Sequence, residues 1–434
     1  MSIFLLKQFT DIKTGGFQKL ISKLSTLLKI ISKPSFWINK FFFTPFSIIL
    51  LLILILLSPF KIIRLGLVHR RLGHFLLNSE LYLLEQIYFK NNKYLDIWFL
   101  PKDIPNQQVA KMIKRNLNIS YINNIFIYNV IKELKKILIF FSYNKFVIGS
   151  NIQEDRDVLN LLDQFPTQIK LTEKELKFGY SILNKMNLSL DKPIVCIICR
   201  DSSYLNKTYP NMDWSSQNFR DSDINNYNLT AKYLSELGYQ VIRMGKVVSN
   251  TQLNKKYIFD YAQSKWRSDF LDVFFGYICD FAISNATGWD AIPVTFRKPI
   301  AFVNHVPILN LHTYSKKYIH IFKHHYDLNL KKNLNINEIV KRNLHKIYEG
   351  QKYKESKIKL IENSPEEILN CVKELINLIK INFEVEKNAD ERHLWKSFPS
   401  NMIHEYNGNK LHGEIKSKFS NYFIENNIYL KFDD

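Results

Sequence analysis

Apolar and polar positions along the chain follow strand and helix periodicities in alternation. Short apolar runs predict strands over residues 61–68, 95–100 and 194–199, and apolar positions three and four apart predict helices over residues 75–88 and 226–237. The same patterns predict further strands at 124–128, 145–149, 239–244, 281–284 and 299–303, and further helices at 172–185, 269–276 and 365–380. Strands and helices in this order indicate a mostly parallel sheet, so we predict an α/β fold with two Rossmann-like domains that face a cleft.

The longest apolar run covers residues 41–60 and contains no ionisable side chain. At a rise of about 1.5 Å per residue, roughly twenty helical residues match a hydrocarbon core of about 30 Å, so the run predicts a transmembrane helix. Pro45 and Pro59 lie near its two ends and leave a re-entrant anchor open as the alternative. Basic residues flank the run on both sides, so the positive-inside rule does not choose an orientation.

The segment before this run has the pattern of a basic amphipathic helix. Apolar residues recur at helical spacing over residues 17–31, whereas Lys19, Lys23 and Lys29 fall elsewhere on the helical wheel. Such a helix is typical of the surface of an anionic membrane, and a core-packing helix is the alternative. We therefore expect residues 1–60 to form an amphipathic helix and a membrane anchor.

The rest of the chain is long enough for two domains and an extension. We predict an N-terminal Rossmann-like domain over residues 61–190, a second one over residues 191–330, and a C-terminal helical extension over residues 331–434. Residues 188–193, Leu-Ser-Leu-Asp-Lys-Pro, break the apolar pattern and are expected to form the linker between the two domains.

Charge and cysteine content narrow the possible functions. The formal net charge of +20 would suit an anionic membrane face or a phosphorylated substrate, but its lysines are scattered and form no nucleic-acid-binding signature, so no nucleic-acid partner is expected. Cys196 and Cys199 have C-x-x-C spacing inside an apolar strand, where positions three apart face opposite sides, so they are predicted to be core residues. The histidines form no ligand set, and we predict neither a metal nor a cofactor.

Polar residues gather at four points within residues 191–330: after the predicted strands 194–199, 239–244 and 281–284, and before the predicted helix 226–237. Ligands of open parallel sheets bind beyond the carboxyl ends of the strands. Arginine, lysine and a Ser/Thr/Gly turn at such ends can bind phosphate groups and stabilise a departing diphosphate. The alternative is that each set makes local pairs, caps and turns. The candidates for donor binding are Arg200, Arg220, Arg243, Gly245, Lys246, Ser284, Asn285, Thr287 and Gly288.

Several strings of the sequence resemble a family of bacterial surface-polysaccharide glycosyltransferases. They lie at residues 199–204 (CRDSSY), 219–227 (FRDSDINNY), 238–245 (GYQVIRMG), 268–274 (SDFLDVF), 71–74 (RLGH) with Asn78, 299–307, 395–399 (WKSFP) and 412–414 (HGE). The resemblance covers nearly everything after residue 60. It implies the two-domain, GT-B-like form in which residues 61–190 bind the acceptor and residues 191–330 bind a nucleotide-sugar donor.

The catalytic base is the least determined part of this hypothesis. His74 lies at the first strand-to-helix connection, where a neutral imidazole can accept the proton of an acceptor hydroxyl; a capping or packing role is the alternative. Asp201 and Glu80 are rival bases, and a retaining enzyme needs no separate base of this kind.

These observations together predict a glycosyltransferase. We expect it to move a sugar from a nucleoside-diphosphate donor to a glycan or lipid-linked acceptor, without metal, at the cytoplasmic face of the inner membrane. A transferase with a phosphoryl or pyruvyl donor and a non-catalytic membrane-attached scaffold are the alternatives. A scaffold would tolerate replacement of Arg243 or Arg200 by alanine.

Overall fold

The computed structural model describes residues 39–90, 94–100, 103–117, 125–140, 156–208, 210–249, 254–403 and 410–430, with residues 21, 24, 25, 32, 34, 37, 146 and 148 between or before them. The chain forms two compact units. Unit 1 comprises residues 1–106, 110–155 and 402–411, and unit 2 comprises residues 107–109, 156–401 and 412–434. The predicted amphipathic helix over residues 17–31 and the predicted strand at 145–149 lie largely outside the described residues.

The helices alternate with strands along most of the chain. The strands are β1 Ile62–Leu67, β2 Tyr94–Phe99, β3 Ile194–Ile198, β4 Gln240–Met244, β5 Ile258–Phe259, β6 Phe281–Ser284, β7 Ile300–His305, β8 Tyr318–Phe322, β9 His324–Asp327, β10 Lys332–Asn333, β11 Ile358–Ile361 and β12 Lys418–Phe419. The α-helices are α1 Thr44–Leu57, α2 Leu72–Phe89, α3 Gln107–Asn116, α4 Ile125–Phe140, α5 Leu161–Gln164, α6 Glu173–Lys185, α7 Ser203–Thr208, α8 Asn228–Glu236, α9 Asp269–Ile278, α10 Ala291–Thr295, α11 Ile336–Lys341, α12 Gly350–Glu355, α13 Pro365–Lys380, α14 Ala389–Ser397 and α15 Asn421–Glu425.

In the described part of unit 1, β1 and β2 pair in parallel and α2 connects them. This confirms the strands predicted at 61–68 and 95–100 and the helix predicted at 75–88. The apolar core beside the strands includes Leu54 of α1, Leu65 of β1 and Leu134 of α4. The prediction of a strand at 124–128 is wrong, because residues 125–128 open α4, whose residues Ile131, Leu134 and Leu138 are buried at the three- and four-residue spacing of a helix.

The structure of the apolar run at 41–60 does not fit the predicted membrane anchor. Within the run, 14 residues form the helix α1, which is about 21 Å long at about 1.5 Å per residue, and residues 41–43 belong to the π-helix Asn39–Phe43 that precedes it. Within the described residues, no helix combines the length and apolar character that crossing a membrane requires. Part of the run packs inside unit 1 instead: Ser47 Oγ donates to the carbonyl of Val130 at 2.8 Å, and the Phe46 ring lies 5.0 Å from that of Phe126. The anchor is therefore not supported.

The described part of unit 2 is organised around a seven-stranded parallel sheet with the order β12-β8-β7-β6-β3-β4-β5. Its central strands are buried along their whole length. Both faces must therefore be apolar, which is why these strands appear in the sequence as continuous apolar runs. The cysteines fit this pattern, since Cys196 and Cys199 are both buried beside apolar neighbours. β9, β10 and β11 form a separate antiparallel sheet.

Several helices of unit 2 begin at a side chain that caps the backbone. Thr172 before α6 and Ser364 before α13 each form a capping box with the glutamate three residues later, and Ser268 accepts from Leu271 N at the start of α9. Gly238, which follows α8 with a φ of +89°, has the left-handed conformation that favours glycine. Local sequence therefore fixes these boundaries, and the predicted helices at 172–185, 269–276 and 365–380 are confirmed.

The units divide the chain differently from the predicted domains. The helix α6 and residues 188–193 lie within unit 2, so 188–193 connects α6 to β3 inside that unit and is not an interdomain linker. Residues 331–434 contain strands as well as helices, and β12 joins the edge of the main sheet of unit 2. Most of that part therefore contributes to the core of unit 2, with Trp395 stacked on Phe419 at 4.2 Å.

Candidate functional site

The carboxyl ends of β3, β4 and β6 lead into loops that are joined by hydrogen bonds. Arg200 N, after β3, donates to Asn285 Oδ1 at 2.8 Å, and Asn285 follows β6. Asp201 Oδ2 accepts from both Ser249 N at 2.8 Å and Ser249 Oγ at 3.0 Å, which joins the β3 loop to the β4 loop. Because β6, β3 and β4 are neighbours in the sheet, these loops form one continuous polar edge, which we call the carboxyl edge.

The turn after β6 is held by the buried carboxyl of Asp290. Its oxygens accept from Ser284 Oγ at 2.5 Å, from Thr287 N at 2.6 Å and from Thr287 Oγ1 at 3.1 Å. Burial raises the pKa of Asp290 to about 7, although these hydrogen bonds act in the opposite direction. Ala286, which lies between Ser284 and Thr287 in the turn, has a φ of +62°. The turn at Ser284–Gly288 is therefore held in place by the buried Asp290 carboxyl, and Gly288 at the end of the turn is exposed to solvent.

Arg200 lies at the carboxyl edge but is engaged within the protein. Its guanidinium pairs with Asp221 and also donates to the carbonyl of Gln217 at 2.9 Å. Lys323, directly after β8, donates to the backbone carbonyl of Asp221 and lies 3.8 Å from Glu362. Burial lowers the pKa of both Arg200 and Lys323, and it raises the pKa of Asp221 to about 6. These charges stabilise one another and hold the loops in place.

Arg220 connects this cluster to the Ser284–Gly288 turn. Its Nη2 donates to the carbonyl of Ala286 at 2.9 Å, while its own carbonyl accepts from Asn285 Nδ2 at 3.3 Å. The side chain is half-buried. This hydrogen bond joins the Arg220 side chain to the turn, and the positive charge of Arg220 acts to lower the pKa of Asp290, which orders the same turn.

Arg243 is placed differently from the prediction. It is 1% exposed on β4, and its Nη1 donates to Asp260 at 3.1 Å. A guanidinium that is enclosed and paired in this way stabilises the fold, and it does not offer its charge to a ligand at the surface. Inward orientation is the physical reason, because alternate residues of a strand face opposite sides of the sheet.

Gly245 and Lys246 follow β4 at the same edge. A Cβ on Gly245 would lie 2.5 Å from Val248 Cγ1, so the tight loop requires glycine at this position. Lys246 is 43% exposed, and its Nζ lies 3.9 Å from Asp269. Such an exposed, long pair is weak, so the ammonium group can reorient toward an anion.

The two predicted bases belong to different units. His74 is the third residue of α2 in unit 1, and its ring lies 5.1 Å from that of His69. Asp201 is in unit 2, where its carboxylate accepts from Ser203 N at 2.8 Å in addition to the two bonds from Ser249. These bonds indicate that Asp201 positions the loops. Glu80, the rival base, is buried within α2 of unit 1.

The structure also adds residues that the sequence patterns did not single out. Asp221, Asp290, Lys323 and Glu362 belong to the carboxyl edge or support it. Asp290 stands in the position of a capping box after Thr287, a signal that was available in the sequence. Lys323 had no such signal, because the strand before it was not predicted. In the part of the chain that the structure describes, no group of three His, Cys, Asp or Glu side chains is placed to hold a metal ion.

Comparison with known proteins finds structural similarity only. No protein-family model and no curated protein matches this chain. The chain is similar to the ADP-heptose lipopolysaccharide heptosyltransferase II of E. coli, with 13% identity, 73% of this chain and 99% of that chain covered and a TM-score of 0.41. It is similar to a glycosyl transferase family 9 protein from Veillonella parvula, with 12% identity, coverages of 73% and 97% and a TM-score of 0.41. A UDP-GlcNAc 2-epimerase from Neisseria meningitidis, with UDP-GlcNAc bound, has 10% identity, coverages of 74% and 100% and a TM-score of 0.31.

Bacterial glycosyltransferases therefore recur among the similar structures. All of these TM-scores are below 0.5, so the similarities carry no weight in the choice of function. That choice depends on the residues of the carboxyl edge.

Proposed function

We propose that this protein is a glycosyltransferase that moves a sugar from a nucleoside-diphosphate donor to a glycan or lipid-linked acceptor in surface polysaccharide biosynthesis. The observation that carries the proposal is the carboxyl edge of unit 2. There Arg220 and the Asp290-ordered turn lie on one side of the β3 loop and the loop that bears Lys246 lies on the other, and hydrogen bonds from the β3 loop fix both. The sequence strings that resemble surface-polysaccharide glycosyltransferases include Arg200, Asp201 and Arg220 of this edge.

The diphosphate of the donor is proposed to lie between the turn and the β4 loop. Neighbouring strands are about 4.8 Å apart, so the ends of β6 and β4, with β3 between them, are separated by about 10 Å. Arg220 at one side and Lys246 at the other can each contact a phosphate group across this distance. Arg200 and Arg243 are not proposed as contacts, because their side chains are only 13% and 2% exposed and each is held by a close carboxylate.

The chemistry follows from the charges. The acceptor oxygen forms a bond to the anomeric carbon while the bond from that carbon to the diphosphate oxygen breaks. The acceptor proton passes to a base, for which His74 remains the prediction, and the nucleoside diphosphate leaves with added negative charge. Arg220 and Lys246 stabilise that charge directly, which is the basis for proposing transfer without metal.

Nucleotide binding tests the proposal most directly. The full-length protein would be titrated with ADP, UDP, GDP and CDP and their sugar derivatives, with melting temperature and calorimetry as readouts. A specific nucleotide should raise the melting temperature, and Arg220→Ala and Lys246→Ala should each weaken its binding about tenfold or more, as loss of a charge-assisted contact implies.

Lys232→Gln serves as the matched control. Lys232 is 53% exposed on α8 and pairs weakly with Glu236, much as Lys246 pairs with Asp269, but it lies away from the carboxyl edge. The Lys232→Gln variant should leave nucleotide binding unchanged. Folded protein that binds none of these nucleotides, or that binds one equally well after Arg220→Ala, would contradict the donor site. Product formation in the presence of EDTA would test the absence of a metal requirement.

A further inference from the structure

The amino ends of the same sheet carry a second concave surface, on the side opposite to the carboxyl edge. One cavity of about 410 Å³ is lined by residues that include Lys170, Tyr180, Tyr277 and Lys298. An adjoining cavity of about 390 Å³ shares Tyr180 and Ile278 with the first and continues toward residues 190–194. We call these two cavities the amino-edge groove. Both volumes lie in the range of about 300–1,000 Å³ that is typical of small-ligand sites.

The groove is separated from the proposed donor site by the length of the strands. Pro193 and Asp280 precede β3 and β6, whereas Arg200 and Ser284 stand at the other ends. With about 3.3 Å per residue, the five residues of β3 span roughly 17 Å. A ligand in the groove would therefore not contact Arg220 or Lys246.

Aromatic rings form the wall of the first cavity. Tyr180 on α6 is 40% exposed and packs edge-on against Phe274 at 5.4 Å. Tyr277 at the end of α9 packs edge-on against Phe296 at 5.0 Å. Each ring is thus held in one orientation by a buried neighbour. Rings held in this way present a flat apolar face with a polar hydroxyl at its rim.

Positive charge surrounds these rings. Lys170 and Lys298 line the first cavity, and Lys298 Nζ lies 6.0 Å from the centre of the Tyr277 ring. Lys317 is close by, because its Nζ donates to the carbonyl of Arg297 at 3.0 Å. The adjoining cavity differs, with Asp191, Lys192 and Asp280 along its lining. The first cavity therefore favours anions, and the adjoining cavity carries both positively and negatively charged side chains that can donate or accept hydrogen bonds.

We propose that the amino-edge groove binds an anionic carbohydrate chain. The C–H faces of sugar rings pack on flat aromatic rings, their hydroxyl groups exchange hydrogen bonds with carboxylates and lysines, and the carboxylate or phosphate groups of an acidic glycan pair with Lys170 and Lys298. Two adjoining cavities that share Tyr180 and Ile278 suit consecutive sugar units better than a single compact ligand. The site goes beyond the transfer reaction and does not depend on which donor unit 2 takes.

Direct binding of defined oligosaccharides tests this proposal. The full-length protein would be titrated by calorimetry with tetragalacturonic acid as the anionic probe and with maltotetraose as the neutral one. The anionic probe should bind saturably and at least about tenfold more tightly. Tyr180→Ala should weaken it about five- to tenfold, as loss of one stacking contact implies, and Lys298→Gln should reduce the preference for the anionic probe. Because Tyr180 and Lys298 are not core residues, both variants are expected to fold.

Matched variants separate this site from the donor site. Tyr88→Ala replaces a tyrosine of similar exposure in unit 1, and Lys232→Gln replaces an exposed lysine on α8; both should bind the probe like the wild type. Arg220→Ala should also leave the probe affinity unchanged, whatever it does to nucleotide binding. The proposal would be overturned if the anionic probe did not bind saturably, or if Tyr180→Ala and Lys298→Gln bound it as tightly as the wild type does. Displacement of the probe by a nucleotide would also overturn it.

Discussion

The buried carboxyl of Asp290 provides a test of how the turn at the carboxyl edge is held. In the folded protein it accepts three hydrogen bonds from Ser284 and Thr287, and burial raises its pKa from 3.8 to about 7. Asp290→Asn removes the charge while it keeps the side-chain size. The remaining amide oxygen can accept from Thr287 N, and the amide N–H groups can donate to the two hydroxyls, so the turn should persist.

The raised pKa makes the stability of the wild type depend on pH. Between the unfolded and folded pKa values, the native state holds a proton that the unfolded chain has released, so the contribution of Asp290 to the free energy of unfolding falls as the pH rises from about 4 to about 7. A shift of about three pH units, at about 1.36 kcal/mol per unit, gives at most about 4 kcal/mol. Asp290→Asn cannot titrate, so relative to the wild type it should gain up to that amount between about pH 4 and about pH 8.

Urea unfolding measures the free energy of unfolding of Asp290→Asn and of the wild type at about pH 4 and at about pH 8. Tryptophan fluorescence can follow the unfolding, because Trp289 lies next to the substituted position. Asp280→Asn, which removes an exposed carboxyl from the other end of the sheet, is the matched control and should show no comparable gain. If the stability difference between Asp290→Asn and the wild type is the same at both pH values, the buried, proton-linked carboxyl described here is refuted.

Three further outcomes are expected. Arg243→Ala should lower the free energy of unfolding by about 3–5 kcal/mol, because it leaves the Asp260 carboxylate without its buried partner; urea unfolding measures this, and wild-type stability would speak against a structural role for Arg243. Gly179→Ala should destabilise the folded protein by about 1–3 kcal/mol, because the added Cβ would lie 2.2 Å from the Phe274 ring. This loss should outweigh the helix preference of alanine, which is about 1 kcal/mol. An unchanged or higher melting temperature would contradict the close packing of α6 and α9. A thiol reagent should react with the four buried cysteines only after unfolding, and rapid labelling of native protein would show them to be accessible; they are Cys196, Cys199, Cys279 and Cys371.

Much of the fold could be predicted from the sequence because the central strands and their helices carry strong local signals. The strand Phe281–Ser284 and the helix Pro365–Lys380 were predicted to the residue. The strand is a continuous apolar run, and the helix starts with Ser364, Pro365 and Glu367, a capping box with proline at the first position. The two-residue strand Lys418–Phe419 has no such signal, since it exists only by pairing with β8 at the sheet edge.

The candidate site could be located but not assigned residue by residue. The polar residues after β3, β4 and β6 do meet at one edge, as the rule for parallel sheets predicts. Sequence alone did not distinguish the roles of Arg220 and Arg243, because it shows only that Arg220 precedes a predicted helix and that Arg243 lies at the end of a predicted strand. The difference is one of burial and pairing: Arg243 is enclosed with Asp260, and Arg220 contacts the carbonyl of Ala286.

The sequence by itself determined the central strands of unit 2 with several of its helices, the buried positions of the cysteines and the edge of the sheet where polar loops gather. Each of these depends on periodicity or on neighbours a few residues away, which the chain displays directly. Tertiary structure decided that the apolar run at 41–60 provides a short helix packed beside α4, that Lys323 meets the backbone of Asp221, and that Tyr180 and Tyr277 line one groove. These depend on contacts between residues that are far apart in the chain, and no local pattern encodes such contacts.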